Sequence, residues 1–234
     1  MITLLLATRN AHKVNEIREI LGNGISCRCL EDFPDAPHVC EDGKTFAENA
    51  TKKATVLAVW LQAVSAAAAR PALYPDFVLA DDSGLEVDAL NGAPGVHSAR
   101  FAATSPGEGN SSDRDNLAKL LRLLQDVPVA NRGARFRCVL ALTPIKTLNV
   151  QDTLSKSQTT LFTGTCEGRI AFAPTGTGGF GYDPAFIPTG YEQSFAELGD
   201  LGNNIKNQLS HRARALAQLK GWLDGLKSTE KRSI

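Results

Sequence analysis

The stretch "ADDSGLEVDALNGAPG", residues 80–95, begins at the last residue of the apolar run "FVLA", residues 77–80. Such a run predicts a buried strand, and the letters "DDSG" after it predict a turn. Adjacent carboxylates repel each other, so folding alone gives Asp81 and Asp82 little purpose. Either the segment is an ordinary polar turn, or it lies at the carboxyl edge of a sheet, where α/β proteins usually bind ligands.

The composition is that of an ordinary soluble domain. The chain has 234 residues, 43% of them hydrophobic and 21% charged, with Lys+Arg and Asp+Glu both 25. This balance gives no general attraction to nucleic acid or to an anionic membrane, so neither is expected as a partner. The apolar stretch at residues 54–69 is too short to span a bilayer, and the N-terminus lacks a signal-peptide pattern. We expect a cytoplasmic protein.

The five cysteines fit a reducing compartment, because an odd number without an export signal favours free thiols. Cys27, Cys29, His38 and Cys40 are close in sequence and invite comparison with a zinc site. Their spacing differs from the usual zinc knuckle, and the two cysteines at positions 27 and 29 fit one face of a strand. Ordinary packing is the preferred interpretation.

The rest of the chain alternates strand and helix patterns. Predicted strands cover residues 2–7, 77–81, 134–143 and 159–168, and the last two are expected to form a hairpin. Predicted helices follow caps at Asn10, at Thr45, at Ser112 or Asp113, and at Ser210. We expect one α/β domain over residues 1–227 and a frayed tail over 228–234. Residues 66–76 and 146–158 are predicted to be surface insertions.

The first candidate site is the junction "LLLATRNAHK", residues 4–13, between the first strand and the first helix. A helix N-terminus presents unpaired N–H groups, and Lys13 in the first turn adds a positive charge. Phosphate binding is one interpretation. An ordinary polar cap is the other, because no glycine-rich loop is present.

The second candidate is "CEDGKTFAENATKKA", residues 40–54. On their own, Glu41 and Asp42 read as a solvated cap, and Lys52 and Lys53 as part of an exposed helix face. Together with the acids at 81 and 82, they could form a site for a hard cation. Mg²⁺ typically takes one or two protein carboxylates and completes its shell with phosphate and water.

Two further segments carry ligand-binding chemistry. In "APTGTGGFGYDPAFIP", residues 173–188, four glycines within 176–181 permit close backbone approach to a ligand, and Phe180 offers a ring for stacking. In "NNIKNQLSHRARAL", residues 203–216, basic side chains gather at a helix start, where they oppose the helix dipole. Function explains that placement, and so does chance.

Five segments stand in one order along the chain: "LLLATRNAHKVNEIREIL", "EDGKTFAENATKKA", "ADDSGLEVDALNGAPGVHSARF", "GTGGFGYDPAFIP" and "SHRARAL". In this order they closely resemble the Ham1/RdgB family of inosine triphosphate pyrophosphatases, from residue 2 to about residue 223. The resemblance implies hydrolysis of ITP, dITP and XTP to the monophosphate and pyrophosphate, which keeps these nucleotides out of DNA and RNA. It also implies a single elongated α/β domain, with a long curved mixed sheet flanked by helices and two lobes around a central cleft. A homodimer and dependence on Mg²⁺, with Mn²⁺ as an alternative, are implied as well.

The resemblance carries functional residues onto this chain. Asp82 becomes the catalytic acid, and it shares the metal with Glu41. The implied substrate-binding residues are Thr8, Arg9, Asn10, Ala11, His12, Lys13, Lys53, Ser83, Phe180, Gly181, Tyr182, Asp183, Lys206, His211 and Arg212. Two features depart from the family pattern: Arg9 stands where glycine is usual, and the lead-in to Lys206 lacks the usual acidic run.

The chemistry suits these residues independently of the family. Attack of water on the α-phosphorus needs a carboxylate to orient or deprotonate the water, and cations to neutralise the phosphates. Arg212 and backbone N–H groups of the glycine-rich loop are expected to donate hydrogen bonds to the 6-keto oxygen of the base. Two alternatives stay open: a metal-dependent nucleotide or sugar-phosphate phosphatase that releases orthophosphate, and a non-catalytic nucleotide-binding module.

Overall fold

The computed structural model describes residues 2–67, 74–105, 109–145, 159–201 and 205–230. The strands of this part of the chain are β1 (Thr3–Leu6), β2 (Ser26–Cys29), β3 (Phe77–Val87), β4 (Gly133–Pro144), β5 (Thr160–Ile170) and β6 (Phe186–Pro188). The helices are α1 (Ala11–Leu21), α2 (Phe46–Ala67), α3 (Asp113–Leu123), α4 (Phe195–Asp200), α5 (Ile205–Leu209) and α6 (His211–Glu230).

The strands form one mixed sheet in the order β2-β1-β3-β4-β5-β6. β1 is parallel to both β2 and β3, whereas β6 is antiparallel to β5. β4 and β5 are neighbours, as their predicted pairing requires. The α/β class, with a mixed sheet flanked by helices, is confirmed.

The predicted helix starts are confirmed by their caps. A cap side chain satisfies one of the N–H groups that the first turn of a helix leaves without an internal partner. The four cap oxygens each accept from the N–H three residues later: Asn10 from Lys13, Thr45 from Glu48, Ser112 from Asp115 and Ser210 from Ala213. Local polar chemistry therefore fixes where these helices begin.

The predicted turn at "DDSG" is wrong, because β3 continues through these residues to Val87. Asp81 and Asp82 are both buried, and neighbouring strand residues point to opposite faces. Lys13 Nζ lies 2.5 Å from a carboxylate oxygen of Asp81, and Lys53 Nζ lies 3.8 Å from one of Asp82. These lysines offset the repulsion between the acids, so the strand need not end there.

The two insertions and the tail are only partly described. α2 runs to Ala67, and residues 68–73 lie outside the described residues, as does the whole of the predicted insertion at 146–158. α6 continues to Glu230, three residues past the predicted domain end, and residues 231–234 are again outside. The domain limits stay a prediction.

Chain contacts divide the protein into two compact units. Unit 1 comprises Met1–Asp82, Val139–Thr163 and Ala215–Ile234, and unit 2 comprises Ser83–Cys138 and Gly164–Arg214. Fully buried leucines of β1 lie in the core of unit 1. In unit 2, the rings of Phe136 and Phe186 meet in the core with centroids 4.7 Å apart. Within the described ranges, no helix has the length and apolar character needed to cross a membrane.

Candidate functional site

Unit 1 contains a cluster of three acids and two lysines, which we call the acid–lysine cluster: Glu41, Asp81, Asp82, Lys13 and Lys53. The Lys53 ammonium is largely buried, and it donates to a carboxylate oxygen of Glu41 at 2.9 Å and to the Asp81 carbonyl oxygen at 2.8 Å. The same nitrogen is 3.8 Å from Asp82 Oδ1. Lys53 therefore holds the two proposed metal ligands close together.

The two proposed metal ligands have opposite pKa shifts. Burial raises the pKa of Asp82 to about 6. The positive charges of Lys53 and Lys13 oppose this rise, whereas the negative charge of Glu41 adds to it. Partial burial alone would raise the pKa of Glu41 too, but Lys53 and Lys13 bring it below its ordinary value. Glu41 is thus firmly ionised, while Asp82 can take up a proton near neutral pH.

The cluster fits a divalent cation that is shared with a substrate. Asp82 Oδ2 is buried and makes no hydrogen bond of standard geometry within the described chain, although the nearby Asn49 amide helps to lower the pKa of Asp82. Among the described residues, no group of three or more His, Cys, Asp or Glu side chains is placed to hold a metal by itself. Two protein carboxylates completed by phosphate oxygens and water match the preference of Mg²⁺.

The loop that carries Glu41 is fixed to α2 by Asn49 and Gly43. The N–H of Gly43 donates to Asn49 Oδ1 at 2.7 Å, and Asn49 is buried. A Cβ atom at position 43 would meet that same oxygen at 2.6 Å, so only glycine allows this approach. Asn49 is not among the residues predicted from the sequence, although a polar residue on the buried face of a helix is a usable signal.

The predicted phosphate segment lies at the β1–α1 junction. Arg9 donates to the carbonyl oxygen of Ala36 at 3.1 Å, so it ties the end of β1 to the segment that follows β2. Ala11 and His12 are exposed at the start of α1. Lys13 joins this segment to the acid–lysine cluster through its ion pair with Asp81. Lys53 is buried, whereas Lys52 is more exposed and its ammonium pairs with Asp42 at the surface.

The predicted base-binding residues lie together in unit 2. Lys206 Nζ is 2.7 Å from Asp183 Oδ2, and both side chains are buried. The same ammonium lies 4.9 Å from the ring centroid of Phe180, and the Arg212 guanidinium carbon lies 5.8 Å from it. Arg212 also donates to Ser83 Oγ at 3.0 Å. The structure thus gathers these five residues, including Lys206, for which the sequence match was weaker.

The glycine-rich loop does not offer all the donors that the sequence predicted. The N–H of Phe180 donates to Asp183 Oδ2 at 2.8 Å, and the N–H of Gly181 donates to Asp113 Oδ2 at 2.7 Å. The N–H of Asp183 donates to the Phe180 carbonyl. These three N–H groups already donate within the protein, so they are not the free donors that were expected for the 6-keto oxygen of the base.

Tyr182 and His211 have packing roles in addition to their predicted contact with substrate. The Tyr182 side chain is buried, and its hydroxyl donates to the Ser98 carbonyl oxygen at 2.8 Å. The His211 ring stacks on Phe136 with centroids 4.8 Å apart. Substrate contact by either side chain stays a prediction.

Comparison with known proteins identifies the family of this chain. The sequence model of the Ham1 family matches residues 4–222. A relative in Shouchella clausii named dITP/XTP pyrophosphatase is 42% identical, over 97% of this chain and 98% of the relative. A relative of the same name in Geobacillus kaustophilus is 46% identical, over 94% of this chain and 93% of its own length. The solved structure of the Staphylococcus aureus Ham1 protein is similar with a TM-score of 0.73 and 33% identity, covering 95% of this chain and 98% of that one. This chain belongs to the Ham1 family.

Proposed function

We infer that this protein hydrolyses dITP, ITP and XTP to the nucleoside monophosphate and pyrophosphate. The observation that carries this inference is the buried Asp82 of raised pKa, held beside Glu41 by Lys53. Relatives named dITP/XTP pyrophosphatase match nearly the whole chain, which supports the same reaction. Such hydrolysis removes aberrant purine nucleotides before polymerases insert them into DNA or RNA.

Asp82 is the proposed base for the attacking water. Water attacks the α-phosphorus, the bond from that phosphorus to the α–β bridging oxygen breaks, and pyrophosphate leaves with the bond electrons. With a pKa of about 6, Asp82 is mostly ionised at neutral pH, yet it accepts a proton more readily than an ordinary aspartate. Placement on a strand, rather than on a turn, gives the carboxylate a rigid support.

Mg²⁺, with Mn²⁺ as an alternative, is the proposed cofactor, and Glu41 and Asp82 would hold it. When bound, the cation supplies charge stabilisation to the phosphates as bonds form and break. Three carboxylates against two ammonium groups leave the acid–lysine cluster with one net negative charge when all are ionised. That charge repels a triphosphate, so the cluster by itself is poorly suited to the substrate.

The two lysines have different proposed roles. Lys53 is held by the oxygens of Glu41 and Asp81, so its main effect is to position the metal-binding acids. Lys13 is more exposed and lies in the first turn of α1, where the helix N–H groups also favour an anion. Lys13 is therefore the stronger candidate for contact with the leaving pyrophosphate.

The base is proposed to stack on Phe180. Stacking on an aromatic ring contributes affinity for any purine, about 1–3 kcal/mol in comparable platforms. Choice among bases then depends on hydrogen bonding, for which Arg212 is the candidate donor to a 6-keto group. Adenine presents an amino group there, and two donors facing each other in a buried site are unfavourable.

The quaternary state and the compartment belong to the same proposal. The resemblance implies a homodimer, and we propose that this dimer acts in the cytoplasm. Light scattering after size exclusion tests the first point, because a dimer has twice the 25.0 kDa mass of the chain. A mass equal to that of a single chain contradicts it.

A substrate panel tests the proposed reaction. Purified protein with Mg²⁺ is offered dITP, ITP, XTP, dGTP and dATP, and pyrophosphate and orthophosphate are measured separately. We expect pyrophosphate from the first three, and little product from the last two. Release of orthophosphate would indicate a phosphatase instead, and binding without any product would indicate a non-catalytic module.

A further inference from the structure

We propose that Asp113 is a positioning residue for the base-binding loop, acting by holding the N–H of Gly181 so that the Phe180 ring stays in place. This proposal rests on the proposed function, in which that ring stacks on the purine. None of the segments that resemble the family includes Asp113. The role follows from its contact with a residue 68 positions away.

Two successive amides of the loop are each held by a carboxylate. Asp113, the first residue of α3, accepts from Gly181 N–H at 2.7 Å, and Asp183 accepts from Phe180 N–H at 2.8 Å. Gly181 has φ +63°, a left-handed conformation that glycine enters easily and also leaves easily. Of Phe180 and Gly181, the glycine has the more flexible backbone. The Asp113 contact therefore restrains the more flexible residue of the two.

Phe180 is the side chain that this restraint affects. Its ring lies near the Lys206 ammonium and the Arg212 guanidinium, at 4.9 and 5.8 Å from the ring centroid. On the other side of Gly181, Tyr182 is anchored through its hydroxyl to Ser98. A loop held at both sides presents the ring already ordered, which lowers the entropy cost of binding a base.

Asp113 also influences Tyr182 electrostatically. Burial, and then the charge of Asp113, raise the pKa of the Tyr182 hydroxyl. The carboxylate therefore acts on both residues that follow Phe180. This agrees with a role in the loop as well as in α3.

An effect of Asp113 on the loop can be separated from an effect on helix stability, because α3 carries a second acid, Asp115, in the same turn. The helix cap is Ser112, and Asp113 and Asp115 both lie in the first turn, where negative charge is favourable. Asp115 instead accepts from the Ser112 hydroxyl at 2.6 Å, and no contact between it and the loop is found among the described residues. Asp115→Ala thus removes the same kind of charge from the helix without releasing Gly181.

The test compares Asp113→Ala, Asp113→Asn and Asp115→Ala with the wild type. Affinity for inosine monophosphate is measured by calorimetry without metal, and KM and kcat are measured with dITP and Mg²⁺. We expect Asp113→Ala to weaken monophosphate binding and to raise KM by about three- to ten-fold, with kcat nearly unchanged, since the lost hydrogen bond is exposed. Asp113→Asn keeps an acceptor oxygen and should stay close to wild type, as should Asp115→Ala.

Amide hydrogen exchange of residues 179–182 provides a readout that does not depend on activity. Exchange should accelerate in Asp113→Ala, but not in Asp113→Asn or Asp115→Ala. Unchanged exchange and affinity in Asp113→Ala would overturn the proposal, and so would equal losses in all three variants. If the wild type releases no pyrophosphate from dITP, the proposed function fails, while hydrogen exchange still decides whether Asp113 holds the loop.

Discussion

Replacing Asp82 by Asn should stabilise the metal-free protein while it abolishes turnover. Asn has nearly the same shape as Asp but carries no charge, so the change removes the buried charge and the proposed base together. Stability and activity should therefore move in opposite directions, as expected where a fold keeps an unfavourable charge for function.

The size of the gain follows from the pKa of Asp82, which folding raises from 3.8 to about 6. The folded state then binds the proton more tightly than the unfolded chain, so ionisation of Asp82 destabilises the fold. With about 1.4 kcal/mol per pKa unit, this cost reaches about 3 kcal/mol above about pH 7 and falls below about 1 kcal/mol near pH 4. The attraction of Lys53 is already contained in the shifted pKa.

The assay is urea unfolding of both proteins in EDTA, near pH 8 and again near pH 4. Asp82→Asn should have the higher free energy of unfolding near pH 8, and the difference should shrink near pH 4. Asp42→Asn is the matched control, because Asp42 is an exposed acid paired with Lys52, and it should change little. Pyrophosphate release by Asp82→Asn should fall by about 10²-fold or more. If this variant is less stable than wild type near pH 8, or retains normal turnover, Asp82 is neither the costly charge nor the base.

Three other outcomes follow from the same site. Lys53→Ala should weaken metal binding and lower kcat, whereas Lys13→Ala should mainly raise KM, most strongly at low ionic strength. Lys52→Ala is the control, and equal effects of all three variants would contradict these roles. Phe180→Ala should weaken all purine nucleotides together, whereas Arg212→Ala should reduce the ratio of ITP to ATP turnover; an unchanged ratio would make Arg212 a phosphate-binding or structural residue. Mg²⁺ should raise the melting temperature of the wild type more than that of Asp82→Asn, and equal shifts would place the cation elsewhere.

Local chemistry made much of the fold predictable from the sequence. Asn10 and Ser112 cap helices because, at the first turn of a helix, a side-chain oxygen can reach the N–H three residues later. The buried strand β1 was visible as an apolar run followed by polar residues. Such features depend on neighbours within one turn of chain.

The errors came from contacts between distant residues. The acids at the centre of β3 predict a turn until Lys13, 68 positions away, is known to pair with Asp81. The N–H of Gly181 appears available until Asp113 is known to accept from it. The stacking of the His211 ring on Phe136 was not predicted either, and the expected substrate contact of His211 stays a prediction. No local pattern carries these pairings, because they depend on how the whole chain folds.

Hydrolysis of dITP in water labelled with heavy oxygen tests whether water attacks the α-phosphorus. Mass spectrometry of the products shows both which bond is broken and which phosphorus the water attacks. Attack on the α-phosphorus predicts label in deoxyinosine monophosphate and unlabelled pyrophosphate. Label in pyrophosphate, or formation of the nucleoside diphosphate with orthophosphate, would contradict attack on the α-phosphorus.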